Sequence, residues 1–580
     1  MNDDGPADRA AGFHRAPALE RLGRDHFDVL VVGGGITGAG VALDAASRGL
    51  HTALVDKGDF ASGTSSKSSK MVHGGLRYLQ QRELRLVYEN LAERQRLLDN
   101  APHLVSPLPF LIPLFGRDGV VSRALTRSYS TVLWLYDLTG GVRIGSRHRK
   151  VGRAEALAHL PLLRTDRLVS GFLYFDARAD DARLALTVLR TAVLDHGAVA
   201  ANYAPVTGVV RDAGGAVTGA TVVPLDPAGG PPGDPVEVRA RVVVNAGGVW
   251  ADEVRRVDEG TDPGALRPAK GIHVTVPAER LPCDIAAVVP VPGDRRSIFV
   301  VPWPGADLVY VGTTDTAYDG PLDDPRCTPE DVDYLLDAVN AVTTAALTRA
   351  DVTAVWAGLR PLLLPEKGHA ALSERTADLS RRHTVRVSGS GVVTVTGGKL
   401  TTYRKMAEDT VDQVVGQLSG RAVGRCVTKH LALRGAPRPG DPAGPSADHR
   451  AVRPALRSHL RSRYGTESEA VLAVADGRPE LLDPVVDGLP YVGAEIVYAV
   501  RAEMAQTLGD LLSRRTRALI QHAGRAVDAA EAVAALAGPE LGWSPEVAAA
   551  QVAALAAEAR ADLAAAGLGE LGAPERTGSP

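Results

Sequence analysis

The sequence predicts an α/β protein in three parts: a Rossmann-type dinucleotide-binding domain, an antiparallel-sheet substrate domain set into it, and a helical C-terminal domain. Three observations predict this. Near the N-terminus an apolar strand runs into a glycine-rich turn, a helix and a second strand, which is a βαβ unit. Residues 267–316 hold several segments of strand type, among them RSIFVVPWP and DLVYVGTTD. From about residue 425 the apolar spacing turns mainly helical.

Residues 1–26 read as a disordered tail. Their acidic start and lack of an apolar h-region exclude a signal peptide. Phe27–Val32 (FDVLVV) is the first strand, GGGITGAGVALDAASRG the turn and helix, and His51–Val55 the second strand, ending at Asp56. A polar, glycine-containing stretch follows, then a helix from about Glu83 to Asn100. VTGVVRDAGGAVTGATVVPL reads as two strands joined at residues 213–215, and Arg241–Asn245 as a buried strand running into AGGVWAD. The discontinuous dinucleotide domain with its substrate domain is expected over 27–424. A Pro/Gly-rich break, RGAPRPGDPAGPSAD, sets off the helical part expected over 425–540. An Ala-rich helix and a tail occupy 541–580.

Composition narrows the function classes. The chain has 580 residues, 45% of them hydrophobic, so it can bury more than one core. A formal net charge of -3 supplies no field for gathering nucleic acid, which is excluded as a partner. Cys283, Cys327 and Cys426 lie far apart without a CxxC or Cys/His cluster. That pattern excludes a zinc site of ordinary spacing and a disulfide framework, predicts no metal, and fits a reducing cytoplasm. No run of apolar residues is long enough to span a bilayer, so any membrane contact is expected to be peripheral.

Gly33-x-Gly35-x-x-Gly38 sits between strand and helix, the context a dinucleotide fingerprint requires. The first glycine permits a tight turn, the second a close approach of backbone N–H groups to a pyrophosphate, and the third close packing of helix on strand. Asp56, about 20 residues further on at the end of the second strand, is placed to bind a ribose diol. NAD and FAD share this motif. Two later features favour FAD. The turn after Asn245 is built of small residues, Ala246 and Gly247, that fit beside a bound dinucleotide. A second glycine turn opening a helix, Gly397–Thr402 (GGKLTT), suits a long flavin whose ring end needs its own anchor.

At SSKMVHGGLRYLQ within 65–80, GTTD at 312–315, AGLRPL at 357–362 and GGKLTTYRKMAED at 397–409, the chain resembles the FAD-dependent (aerobic) glycerol-3-phosphate dehydrogenase family. The resemblance runs from about residue 27 to about 535 and includes EIVYAVRAEMAQTLGDLLSRRTR in the helical part. It implies FAD as cofactor, held by Gly33, Gly35, Gly38, Asp56, Ser65, Ser66, Ala246, Gly247, Gly398, Lys399, Leu400 and Thr401. It also implies a substrate pocket lined by Arg77, Tyr78 and Arg360, with Arg381 as a third cation. A phosphate monoester needs cations with forked donors, which arginine supplies. Lys399 is expected to contact either the substrate or the electron-rich edge of the flavin, where positive charge stabilises the reduced ring. His73 either takes the substrate hydroxyl proton or hydrogen-bonds the cofactor; its ordinary pKa suits the first task. Thr313, Thr314 and Asp315 approach the site or form a buried turn.

The implied reaction is oxidation of sn-glycerol 3-phosphate to dihydroxyacetone phosphate, with hydride passing from C2 to FAD N5 and electrons going to a quinone or other acceptor. The expected location is cytoplasmic, peripheral on the inner face of the cell membrane. Arg143–Lys150 (RIGSRHRK) and a helix around Arg501–Arg517 are the two basic stretches that could attach it. A homo-oligomer is an admissible assembly. The alternatives are a glycerol-3-phosphate oxidase using oxygen, an amine or amino-acid oxidase of the same fold, and a non-catalytic flavoprotein.

Overall fold

The strand His26–Val32 is buried from Phe27 onward and lies inside a sheet of eight described strands. The protein is described from a computed structural model over residues 12–75, 83–116, 123–261, 263–294, 296–364, 382–438 and 452–569. Around His26–Val32, the strands Val236–Asn245 and Thr52–Val55 pair in parallel on its two sides. Val199–Ala201 continues the parallel set beyond Thr52–Val55, and Val393–Thr396 beyond Val236–Asn245. Such strands read as unbroken apolar runs because helices cover both faces of the sheet. Ile36–Ser47, Asp181–Leu194 and Tyr403–Gln417 pack on one another over one face. The hairpin of Val206–Arg211 and Val217–Val222 joins the sheet antiparallel along Val236–Asn245.

The other face is where the expected tail needs correcting. Arg15–Arg24 is a helix, and its Ala18 and Leu22 belong to the core beneath the sheet. Phe13 is buried against Phe60, with ring centroids 5.7 Å apart. Arg15 donates from its guanidinium to the carbonyls of Asn202, Tyr203 and Leu225. In RAPALERLGR the few apolar residues are diluted by charge, so the stripe that docks the helix is too sparse to stand out in the sequence.

The second sheet has ten described strands and draws them from both sides of the dinucleotide motif's later parts. Val105–Phe115 and Leu168–Ala179 form its long antiparallel pair, and Leu266–Pro277 pairs with Ala354–Leu363 along its other end. All pairings are antiparallel except that of Ala286–Pro290 with Val105–Phe115. Met71–Val72 pairs with Leu168–Ala179 and brings the chain from the first sheet onto the edge of the second. The site lies at this junction.

Behind it, Pro454–Tyr464, Gly493–Glu503, Ala530–Leu541 and Pro545–Ala565 form the helical C-terminal part. The Ala-rich helix belongs to it, since Leu555, Ala559 and Leu563 are buried in the same core as the second sheet. The stretch read as one helix near Arg501–Arg517 is broken: the helix ends at Glu503, Met504 takes a left-handed conformation, and a helical turn resumes at Asp510–Thr516. The arginines at its end point inward, while Arg501 is exposed and pairs with Glu540. Arg514 and Arg515 both bind Asp59, at 2.6 and 2.8 Å, and Arg517 binds Asp181 at 3.0 Å. Arg515 and Arg517 are almost fully buried. These cations are therefore unavailable to a bilayer, because the carboxylates that neutralise them come from segments distant in sequence. No helix among the described residues is long and apolar enough to cross a membrane.

Candidate active site

The site begins with the turn at the end of His26–Val32. Gly33 has φ of 109°, and a Cβ there would come within 2.6 Å of the Ala246 carbonyl oxygen. Only glycine therefore lets the two parallel strands release their chains side by side. A Cβ on Gly38 would stand 1.8 Å from the Gly33 carbonyl oxygen, so the third glycine sets how closely the helix packs on its own turn. Gly35 caps the Ile36–Ser47 helix and faces a cavity of about 850 Å³. The Ser65 hydroxyl accepts the Ile36 N–H at 2.9 Å.

Asp56 lines the same cavity, and both its oxygens are held by backbone: Gly34 N–H donates to Oδ2 at 2.6 Å and Gly58 N–H to Oδ1 at 2.8 Å. Burial pushes its carboxyl up to about 6. Asn245 secures the opposite wall. Its Oδ1 accepts the Gly247 N–H and its amide donates to the Ala251 carbonyl, which fixes the turn carrying Ala246 and Gly247 into the cavity. Ser66 does not line the cavity. It is buried on the other side of the turn, with its carbonyl accepting Lys70 and Arg517.

His73, Arg360, Gly398, Lys399, Leu400 and Thr401 all face this one cavity. His73 follows the edge strand Met71–Val72, and its N–H donates to Thr401 Oγ1 at 3.2 Å. The GGKLTT turn and the HGG turn are thus tied to each other. Lys399 is extended immediately before the short 3-10 turn Leu400–Thr402, from which the helix Tyr403–Gln417 continues. Arg360 projects from the long strand Ala354–Leu363. It donates to Asp315 Oδ1 at 3.3 Å and to Thr313 Oγ1 and the Thr314 carbonyl at 3.2 Å. GTTD therefore serves as the acceptor set that aims Arg360, with Thr313 also reaching the cavity. Arg77, Tyr78 and Arg381 lie outside the described residues.

One residue of this wall has no precedent in the sequence reading. His273, on the Leu266–Pro277 strand, lines the cavity, stacks flat on Trp356 at 4.7 Å and hydrogen-bonds Ser69 through Nε2 at 2.8 Å. Burial, with the Lys70 and Arg360 cations, holds it well below the usual histidine pKa, so it is a neutral polar group at pH 7. Its only signal was a histidine at an inward position of the apolar segment KGIHVTVP, which resembles an ordinary core position.

The cavity fits an FAD: glycine turns that leave room at both parallel strand ends, a helix N-terminus facing a pyrophosphate position, a carboxylate for ribose, and a second helix start with a lysine at the far turn. Comparison with known proteins agrees. Residues 28–404 match the family model described as FAD dependent oxidoreductase, and residues 426–548 match the C-terminal domain of alpha-glycerophosphate oxidase. "Glycerol-3-phosphate dehydrogenase 2" of Mycobacterium tuberculosis is 41% identical over 543 residues, covering 93% of this chain and 89% of that one. The chain belongs to the FAD-dependent glycerol-3-phosphate dehydrogenase family. The mitochondrial glycerol-3-phosphate dehydrogenase of Homo sapiens is 35% identical over 561 residues, covering 93% of this chain and 74% of that one. The glycerol-3-phosphate dehydrogenase of Bacillus halodurans, solved with FAD, superposes with a TM-score of 0.73 at 32% identity, covering 94% of this chain and 96% of that chain. As a family member the chain is an FAD-dependent oxidoreductase with the α/β architecture expected of it.

Proposed function

We propose that this family member oxidises sn-glycerol 3-phosphate to dihydroxyacetone phosphate and delivers the electrons to a quinone at the inner face of the cell membrane. The observation that carries the reading is the meeting of Arg360, Lys399 and His73 in the cavity that takes the dinucleotide. Three relatives described above bear the name of this dehydrogenase. Bound FAD supplies the two-electron acceptor, taking hydride from C2 at N5. Arg360, with Lys399, offers the cationic donors that a phosphate dianion needs, and Arg360 is pre-aimed by Asp315 and Thr313. His73 receives the hydroxyl proton as the C2–H bond breaks, so the alcohol leaves as a ketone. Neutral His273, held by Ser69 and stacked on Trp356, lines the cavity without adding charge to it.

Peripheral attachment is supported on one of the two basic stretches. Arg143, Arg147 and Lys150 are exposed, and Arg143 stacks over Tyr88 at 5.2 Å. Tyr88, Leu84, Trp134 and Leu138 are large hydrophobic side chains left exposed on the two neighbouring helices, Leu84–Asn100 and Arg123–Leu138. A basic rim around exposed apolar groups is the combination that seats a protein on anionic lipid.

The test is a steady-state assay of the purified protein with glycerol 3-phosphate, first with a redox dye and then with oxygen alone. Turnover with dye and little with oxygen is expected. Arg360→Ala should lower kcat/KM by roughly tenfold to a thousandfold, and Arg360→Lys should recover little of it because lysine lacks the planar fork. Wild-type kinetics in Arg360→Ala would refute the placement of the phosphate. The match of the C-terminal part to an oxidase domain favours one second reading, direct reoxidation by oxygen, and the oxygen arm decides it.

A further inference from the structure

The peptide that follows His73 is held by a buried polar cluster that touches neither the cavity nor any residue named so far in the chemistry. Gly74 N–H is shared between Tyr136 Oη at 3.0 Å and Asp176 Oδ1 at 3.1 Å. The Tyr136 hydroxyl donates to that same Asp176 oxygen at 2.6 Å, and Arg94 Nη1 donates to it at 2.6 Å. On the other side of the peptide, Asn90 donates its amide to the Gly74 carbonyl at 2.8 Å. Asn90, Arg94, Tyr136 and Asp176 are all at most 5% exposed. A Cβ on Gly74 would lie 2.5 Å from Tyr136 Oη and from Leu91, so the chain is pressed against this cluster.

We infer that Tyr136 and Asp176, with Asn90, are positioning residues that fix the Gly74 peptide and thereby aim His73 at the substrate hydroxyl. The role rests on the reading of His73 as proton acceptor. His73 has its own N–H fixed by Thr401, so the backbone is gripped on both sides of its Cα and its side chain has one anchored origin. Burying four polar side chains around one peptide is costly, and here Asp176 Oδ1 offsets part of that cost by accepting from Arg94, Tyr136 and Gly74. Asn90 donates its amide to the Gly74 carbonyl and leaves its own Oδ1 without a partner among the described residues. Core packing alone calls for apolar groups at these positions. Holding a proton acceptor in line calls for directional ones, since a displacement of about 1 Å at a reacting group can cost about 100-fold in rate.

Tyr136→Phe tests this while keeping the ring, which packs edge-on against Tyr174 at 6.2 Å. Asn90→Leu is the second variant, acting on the opposite face of the peptide. Both should retain FAD with an unaltered flavin spectrum and leave KM for glycerol 3-phosphate within about threefold, because the phosphate and cofactor contacts lie elsewhere. kcat should fall by about 10- to 100-fold. The isotope effect with C2-deuterated glycerol 3-phosphate should rise in both, as hydride and proton transfer become rate-limiting, and the basic arm of the kcat/KM pH profile should move. A merely structural role would lower thermal stability and FAD content without changing the isotope effect. Tyr136→Phe and Asn90→Leu proteins with wild-type kcat, isotope effect and pH profile would overturn the inference. A wild-type protein inert towards glycerol 3-phosphate would instead overturn the reading of the substrate on which it rests.

Discussion

Asp56 shows how one carboxylate serves two tasks. Its oxygens bind the N–H groups of Gly34 and Gly58, so it shapes the turn that contains the fingerprint as well as lining the cavity, where a ribose is the proposed partner. Asp56→Ala should therefore weaken FAD retention by about 1–3 kcal/mol, read as a higher dissociation constant from flavin fluorescence. Burial raises its folded-state carboxyl from 3.8 to about 6. Protonation then favours the FAD-free fold: the stability from this group is complete below pH 3.8 and is lost as pH rises through about 6. In the FAD-free protein, the melting temperature of wild type relative to Asp56→Asn should fall between pH 4 and 7, and a pH-independent difference would show that Asp56 is not buried as described. At this scale the sequence was legible where backbone chemistry dictated the residue. Gly33 and Gly38 are required by a turn and a packing distance, and Asp56 holds the backbone N–H groups of Gly34 and Gly58 beside the cavity. His273 was not legible, because a neutral histidine stacked on Trp356 within a strand has the same sequence pattern as a core residue.

Among elements, the helical C-terminal part acts on the cofactor domain through charge. Arg514 and Arg515 grip Asp59, which sits in the loop between Asp56 and Ser65, and Arg183 of the first domain binds Glu503. Arg463 pairs with both Asp180 and Glu495. Such pairs are nearly neutral when whole and destabilising when broken. Arg515→Leu should cost about 3–5 kcal/mol by leaving Asp59 buried with a reduced complement of donors. Calorimetry would show this as a lower Tm accompanied by earlier FAD release, and an unchanged Tm would mean the loop stands without the clamp. Acid should act on the same joint. His459 and Arg463 hold Glu495 down, from 4.5 to about 2, and the two arginines hold Asp59 below its ordinary value. Depressed carboxylates stabilise the fold above their unfolded pKa, so this contribution is present at neutral pH and is lost as pH falls from 4.5 towards 2. The expected helix around Arg501–Arg517 failed as a surface element because its apolar side and the arginines at its end are both answered by distant segments. Periodicity reports a buried face, and it is silent about which neutralising carboxylates the fold will bring there.

For the whole molecule, the proposed quinone acceptor requires that a protein without a spanning helix among its described residues bring its flavin to a lipid surface. Of the two basic stretches, Arg143–Lys150 keeps its cations at the surface, although Arg149 is paired with Glu155, whereas Arg501–Arg517 keeps only Arg501 there, paired with Glu540. Leu138 is 78% exposed and Trp134 49%, on the same helix as buried Tyr136. The helix thus turns apolar groups outward on one side and grips the His73 peptide on the other. Arg143, Arg147 and Lys150 near anionic lipid are worth about 1 kcal/mol each, which gives reversible, salt-sensitive attachment, and the apolar groups add a salt-insensitive part. The protein should sediment with phosphatidylserine-containing vesicles at low salt and partly dissociate at high salt. Arg143→Glu with Lys150→Glu should remove the salt-sensitive part, and Leu138→Asp with Trp134→Asp the remainder, while turnover with a soluble dye stays near wild type. Reoxidation by a quinone analogue embedded in the vesicles should fall with binding in each variant. Quinone reoxidation that persists after binding is abolished would place the acceptor away from this face. Absence of binding at low salt, together with rapid reoxidation by oxygen, would make the protein a soluble oxidase on the same scaffold.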